Sequence, residues 1–528
     1  MAVATVTFDG TRVNAADATT NFTAAGGTPT AETDYFYQGT ASISAAVKTS
    51  EGGFYYRQSG VTHDFTTPKV WLAKGIATNK DALDGNGFIF EMGTGLRAAY
   101  YQYFVYTAAT YPFAGGWQII PIDPNIASYR SASLGTPTLS ALDFFGIRAD
   151  FSATSKAPNL GLDAIDYITA GTGLTLVGGD GADADGTFTN FVTTDETTTA
   201  NRWGVVSTRG GVLYVNGTLQ IGTATATVFT DLNRVVVFND GRFGTGFAGI
   251  KFNLASATTN VAISSTVLRG LGTQGTNDTR PDYTVTNTSG TMSLTGCSVN
   301  TFRNITLTSA VTVSGCSFIN GLLITQASAA ITECSFSGQT TATGVALLTS
   351  NNPTAISNCT FNGASTVGHA IMFTTPGTYT FTNNSFLNYG ADGTNNAAVY
   401  NNSGGLVTLN VIGSAPTIRN GAGATTTIPP SLVPLDLIVK NAAGSPIQNA
   451  RVAMYVSATD ALIFNTLTDV NGEIADSYSY TTDVPIYIRV RKSASGTTRY
   501  VNNDSSGTIT STGFSATITL LTDVIVAT

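Results

Sequence analysis

Paired carboxylates are the groups from which a β-rich chain most readily builds bond-cleaving chemistry, because one gives a proton while the other takes one or attacks. Between Asn304 and Ala391 the only charged side chain is Glu333, and Asp278, Asp282 and Asp392 stand at the flanks. A dyad there would have to be assembled from distant segments or from a second copy of the chain. The two histidines, His63 and His369, sit beside no nucleophile in a phrase such as G-x-S-x-G. His369 lies in STVGHAIMF, a strand-like run in which a structural histidine is expected. The expectation is a chain without catalytic residues, that is, a non-enzyme.

Oxygen-rich loops come next. GGDGADADG (178–186) offers Asp180, Asp183 and Asp185 to a cation such as Ca²⁺, yet the twelfth position counted from Asp180 is Phe191, not the glutamate of a helical calcium loop. DALDGNG (81–87) offers Asp81, Asp84 and Asn86 in the same way, and the same residue types serve an ordinary hairpin turn. Neither loop is taken as a metal site, and no cofactor is expected. The four cysteines, Cys297, Cys316, Cys334 and Cys359, lack C-x-x-C spacing and read as buried thiols.

Charged residues make up 11% of the chain, and Asp plus Glu (33) outnumber Lys plus Arg (25). The densest basic spot is Arg489, Arg491 and Lys492, too thin for a phosphate backbone, so no nucleic-acid partner is expected. No apolar run is long enough to span a bilayer, and the opening MAVATVTFDG lacks the features of an export signal, so membrane insertion is not expected and synthesis in a cytoplasm is. Tyr35, Tyr37, Tyr55, Tyr56, Tyr100, Tyr101 and Trp117 could stack on sugars, but most of them are expected in a core. In an alternating strand only one of each pair Tyr55/Tyr56 and Tyr100/Tyr101 can face that core.

The elements that would position these residues are strands. Thr, Ser, Val, Gly, Asn and aromatics dominate, and 42% hydrophobic content supplies cores. Short apolar or alternating runs recur from Ala4 to about Ile168, among them KVWLAKGIA from Lys69, GFIFEMG from Gly87 and DFFGIRADFSA from Asp143, a pattern that suits a sandwich. The middle carries an internal repeat: LTGCSV from Leu294, VSGCSF from Val313, ITECSF from Ile331, ISNCTF from Ile356 and FTNNSF from Phe381. Each copy reads as one coil of a parallel β-helix. Cys297, Cys316, Cys334, Cys359 and Asn384 then form one column, and Val299, Phe318, Phe336, Phe361 and Phe386 another, with Asn or Gly at tight turns. GAGATTTIPPSLVP (421–434) ends the repeat.

Phrases in the first half, ETDYFYQGTASIS from Glu32, GWQIIPIDP from Gly116, LGLDAIDYITAGTGLTLVGGDGAD from Leu160 and GVLYVNGTLQIG from Gly211, resemble a family of tailed-phage virion proteins in which a jelly-roll similar to carbohydrate-binding modules precedes a solenoid. After the repeat, LDLIVKNAAGSPIQNARVAMYV from Leu435 and TLTDVNGEI from Thr466 resemble the small immunoglobulin-like domains related to carboxypeptidase-regulatory and transthyretin groups. The expected fold is all-β: a jelly-roll β-sandwich (1–170), a right-handed parallel β-helix (171–428, clearest over 294–390) and an immunoglobulin-like β-sandwich (429–528). The resemblance implies a structural protein on the virion surface, a capsid decoration or head fibre with glycan or host-surface adhesion, assembled as a homotrimer and bound to capsid or tail proteins. The alternative is a tail fibre or tailspike that binds the host receptor, with polysaccharide depolymerase activity the lesser version.

Overall fold

The computed structural model describes residues 3–523 apart from 47–50, 112–115, 128–129, 152–158, 180, 182–183, 198–200, 240–248, 274–278, 321–322, 338–345, 364–367, 391–395, 430, 481–482 and 494–497. The chain is all-β, and no helix among the described residues is long and apolar enough to cross a membrane. It divides into two compact units, Met1–Ala330 with Cys334–Thr340, and Ile331–Glu333 with Thr341–Thr528.

The first unit opens with two antiparallel six-stranded sheets. One is ordered Gln118–Ile122, Lys69–Ala77, Asn159–Thr169, Ser42–Ala46, Thr30–Glu32, with Gly10–Asn14 also on Asn159–Thr169. The other is ordered Ala132–Leu134, Ala99–Tyr106, Leu83–Thr94, Phe144–Phe151, Glu51–Tyr56, Phe22–Ala25. Trp71 anchors the core between them, edge-on to Phe90 and Phe145 at 5.4 and 5.2 Å. Alternation places Trp71, Ala73 and Ala77 in that core and turns Val70, Leu72, Lys74 and Ile76 the other way, where they are also buried. Burial on both faces is why KVWLAKGIA is an unbroken apolar run. Within Asn159–Thr169 the register shifts between Asp163 and Asp166. Leu160 and Leu162 face the core before this bulge and Ile165 after it, so Asp163 and Asp166 both fall on the outer face, the one carrying Lys74.

The aromatic pairs obey the alternation with one difference. Tyr56 and Tyr101 enter the core, whereas Tyr55 lies on the opposite face yet is also buried, edge-on to Phe144 at 5.4 Å. DALDGNG forms no hairpin: Lys80–Ala82 is a short 3-10 turn running straight into Leu83–Thr94, where Asp150 accepts the Asn86 N–H at 3.0 Å and Asp84 that of Gly85 at 2.8 Å.

From Gly173–Val177 onward, apart from the antiparallel hairpin of Val206–Arg209 with Val212–Val215, the pairing becomes parallel, each strand bonding to the third one after it, so that three sheets grow together. Stacked equivalent positions make columns: Leu174, Leu219, Ile250 and Tyr283 in one sheet, and Val236, Leu268, Val299, Phe318 and Phe336 in another. Phe318 and Phe336 stack face to face at 5.0 Å. The exposed edge of the first parallel strand is covered by Thr5–Phe8, which pairs with it antiparallel. Sequence alone put that strand with the N-terminal sandwich.

Turns between rungs use the left-handed region at recurring places: Asn233, Ser265, Gly296 and Gly315 have φ of 56, 48, 62 and 62°. Arg234, after Asn233, is exposed, but the residues that follow Ser265, Gly296, Gly315 and Glu333 point inward: Thr266, Cys297, Cys316 and Cys334 are all buried. The inward side chain accepts from the backbone one rung earlier. Thr266 Oγ1 accepts the Arg234 N–H at 3.4 Å, and Cys316 Sγ accepts that of Cys297 at 3.3 Å. The Cys316 thiol is pushed up to about 11, its hydrogen bond with Cys297 lowering it while that with Cys334 and burial raise it by more.

The second unit continues the same construction. His369–Phe373 pairs in parallel with Ala346–Ser350 and with Val399–Asn401, and Thr360–Asn362 with Ser385–Leu387, stacking Phe361 on Phe386 at 5.3 Å. Cys359 is followed in its column by Asn384, whose Oδ1 accepts the Cys359 N–H at 3.0 Å while Nδ2 donates to Ile356 O at 2.8 Å. Glu333, exposed, holds a turn position with φ 57°, where Asn358 and Asn383 have 54 and 51°. After Thr425–Thr427 the chain forms a sandwich. One sheet is ordered Glu473–Tyr480, Ser431–Asn441, Phe514–Leu520, and the other Leu462–Leu467, Arg451–Val456, Val484–Arg491, Asn503–Ile509. Leu435, Leu437, Val452, Met454, Ile486 and Ile488 meet between them.

Candidate ligand-binding cleft

In the first unit, the outer face of Lys69–Ala77 and Asn159–Thr169 meets the opening rungs of the parallel sheets through buried charges. Lys74 is fully buried and donates to Asp166 at 2.6 Å, Ala164 O at 3.1 Å and Leu72 O at 3.3 Å. Arg12 grips the same carboxylate from Nε at 2.8 Å and Nη2 at 3.2 Å, and reaches Asn201 O at 3.0 Å. Asp163 accepts the N–H groups of Tyr37, Gln38 and Ala164, and Asp195 those of Trp203, Gly204 and Val206. Burial pushes both Asp163 and Asp195 up to about 7, against the pull of those N–H groups and of the Lys74 charge. Burial likewise lowers Lys74, with Asp166 opposing it. Asp163 is occupied by backbone donors of the sandwich and Asp195 by those of the opening rungs, while Arg12 to Asn201 O and Arg202 Nη1 to Tyr37 O at 2.7 Å cross between the two.

Beside this junction lies a cleft of about 310 Å³. Its sandwich wall is Tyr106, Gln118 and Ile119; its rung wall is Ser207, Arg209, Tyr214, Asn216, Asn239 and Leu271. Each rung residue is set by strand pairing: Arg209 and Tyr214 lie on the hairpin Val206–Arg209 with Val212–Val215, and Asn239 follows Val235–Phe238, one rung on. Arg209 Nη2 donates to Trp117 O at 3.0 Å, which ties the walls together across the cleft, and its guanidinium stands 6.0 Å from the Tyr214 ring. Asn239 Nδ2 donates to Asn216 Oδ1 at 2.5 Å, and Asn216 Nδ2 to Gly204 O at 3.0 Å, so the amides are oriented before any ligand arrives. Flat rings, oriented amides, a hydroxyl and a single guanidinium suit a polar, ring-shaped neutral ligand better than an ion.

Most residues singled out from sequence lie elsewhere. Asp180, Asp183, Asp278 and Asp392 fall outside the described residues, Asp185 accepts the Gly181 N–H at 2.7 Å, and Asp282 is held by Arg303 at 2.7 Å. No group of metal-ligating side chains gathers among the described residues. His63 packs edge-on to Tyr167 at 6.0 Å, and burial together with Lys69 lowers its pKa. His369 is buried, with Nδ1 3.1 Å from Ala397 O and Nε2 3.0 Å from Arg419. Of the aromatic set, Trp117 borders the cleft through its carbonyl. Lys74, Asp163, Asp166 and Asp195 were missed, although a lysine inside KVWLAKGIA and two aspartates inside LGLDAIDYI are signals of paired burial.

No family model matches the chain, and no curated protein does. Among solved structures it is similar to an exo-β-agarase (10% identity, TM-score 0.21, 28% of this chain and 23% of that one) and to a second agarase (10%, 0.22, 31% and 25%). It is also similar to the catalytic domain of an α-1,3-glucanase in complex with tetrasaccharides (10%, 0.16, 81% and 85%). The chain thus spans about a quarter of the length of the agarases. The expectation of a non-enzyme, which rested on the lack of carboxylates beside Glu333, is not upheld, since these solved structures are enzymes. At such TM-scores the similarity assigns neither substrate nor reaction.

Proposed function

We propose that this chain is a structural protein displayed on the surface of a tailed-phage particle, as a capsid decoration or head fibre, and that its cleft adheres to glycan. In this reading the N-terminal sandwich (1–170) is a jelly-roll, the parallel sheets (171–428) form a right-handed β-helix, and the C-terminal sandwich (429–528) is immunoglobulin-like. Copies of the chain assemble as a homotrimer that anchors to capsid or tail proteins. The observation that carries the reading is the cleft itself: a lining of Tyr106, Tyr214, Asn216 and Asn239 between a sandwich wall backed by buried ion pairs and a rung wall that Arg209 ties to it through Trp117 O. Pyranose rings present apolar faces to aromatic planes and hydroxyls to amides, and a preformed site loses little entropy on binding.

The test is to incubate the full chain with neutral host capsular polysaccharide and to measure both retention and oligosaccharide release. Retention by the wild type, with roughly tenfold or greater loss in Tyr214→Ala and Asn239→Ala, supports the assignment. Undiminished binding by both variants removes the cleft from it. Release of oligosaccharide adds cleavage to binding.

A further inference from the structure

The second unit carries a groove of about 380 Å³ on the outer face of the sheet formed by Leu462–Leu467, Arg451–Val456, Val484–Arg491 and Asn503–Ile509. Strand alternation puts Arg451, Ala453 and Tyr455 on this face, opposite Arg491, Arg489 and Tyr487. Arg451 and Arg491 are therefore direct cross-strand partners, and Arg489 is the next position along. Like charges placed opposite one another destabilise a sheet. Three arginines share this groove with one carboxylate, Asp504, in a chain whose net charge is −8.

The guanidiniums are only partly engaged. Arg489 approaches Asp504 at 3.8 Å with both side chains largely exposed, and Arg451 donates to Asn465 Oδ1 at 3.1 Å. The Arg491 side chain is exposed and has no hydrogen-bond or ion-pair partner among the described residues. Arg489 lies 5.2 Å over the Tyr487 ring, which stacks on Tyr455 at 5.0 Å, so this guanidinium is held in place by an aromatic pair. A planar donor fork next to a second and third one is the arrangement that grips carboxylate, sulfate or phosphate oxygens.

We infer that this groove binds the anionic groups of an acidic polysaccharide. It is independent of the neutral-glycan cleft, lying in the other unit and built from different residues. An acidic sugar is favoured over an acidic peptide or a nucleic acid by Tyr455, whose ring lines the groove beside the arginines. The footprint, three arginines on one short face, is also small for a duplex backbone.

The experiment uses the full chain in affinity electrophoresis through gels containing polygalacturonate, dextran sulfate, unsubstituted dextran or duplex DNA. Retardation by polygalacturonate or dextran sulfate, relieved by salt, and at least tenfold weaker in Arg451→Gln/Arg491→Gln, is the expected result. Which polymer is held more tightly tells carboxylate from sulfate recognition. The single variant Arg491→Gln, at an exposed position, guards against misfolding and is expected to bind more weakly while unfolding at a slightly higher temperature, because a like-charge pair is relieved. Equal retardation of variant and wild type in the acidic gels, retardation by unsubstituted dextran that the arginine substitutions weaken as much as that by the acidic polymers, or tighter retention by DNA than by either acidic polysaccharide would each overturn the inference.

Discussion

Asn384 offers the sharpest test of how the rungs are held. It stands where the column would place another cysteine, and its amide serves two buried backbone groups, the Cys359 N–H at 3.0 Å and the Ile356 carbonyl at 2.8 Å. Asn384→Ala leaves one donor and one acceptor buried without partners, at about 1–3 kcal/mol each, so the local cost is about 2–6 kcal/mol. Asn384→Cys restores a sulfur acceptor of the kind Cys316 presents to Cys297, and should recover part of that loss. The three tryptophans, Trp71, Trp117 and Trp203, all lie in the first unit and are blind to this site. Cys359 itself is the reporter, since it is buried and reduced and reacts with a thiol reagent only when its rung opens. Labelling followed by mass spectrometry should show Cys359 reacting roughly 30-fold faster or more in Asn384→Ala, since every 1.4 kcal/mol is about tenfold. Asn384→Cys should fall between that variant and the wild type. Equal rates for Asn384→Ala and wild type would refute the assignment of the column to backbone satisfaction.

Three further outcomes follow from named groups. Glu333→Asn should slow hydrogen exchange at residue 333 and its neighbours, by about 0.5–1 kcal/mol, because asparagine tolerates the left-handed turn that Glu333 occupies at φ 57°. Lys74→Met should lower the stability of the tryptophan-reported transition by about 3 kcal/mol, the low end for a broken buried pair because Arg12 still holds Asp166; an unchanged midpoint would contradict the role given to that pair. Asp163 and Asp195 have folded values near 7, raised above those of an unfolded aspartate, so their contribution is fully present at low pH and is lost as pH rises through about 7. Between pH 5 and 7 the urea midpoint reported by tryptophan should fall, and Asp195→Asn should reduce that slope; a slope identical to wild type would count against a buried, proton-linked Asp195.

How much of this was legible in the sequence differs by element. The repeat around Cys297, Cys316, Cys334 and Cys359 was readable because each rung must supply one inward residue after a left-handed turn, and that demand recurs in register. Its purpose was not, since the bond from Cys297 N–H to Cys316 Sγ joins two residues whose pairing depends on the stacking itself. The antiparallel placement of Thr5–Phe8 was hidden because its partner lies some 170 residues on and local pattern says nothing about which sheet edge needs covering. The buried network was hidden for a related reason: Arg12, Lys74, Asp166 and Asp195 come from four separate segments. The bulge that turns Asp163 and Asp166 to one face leaves only a two-residue break in an apolar alternation. The cleft depends on both walls at once, so none of Tyr106, Tyr214 or Asn239 carried a signal alone.

The central claim is display on a phage particle, and immunogold labelling of purified particles with antibody against the full chain, alongside the solution mass of the isolated protein, tests it most directly. Gold on capsid faces or vertices, with a mass of three copies, is the predicted result. Gold confined to the tail would transfer the protein to the tail-fibre alternative, and a monomer that labels no particle would contradict the account.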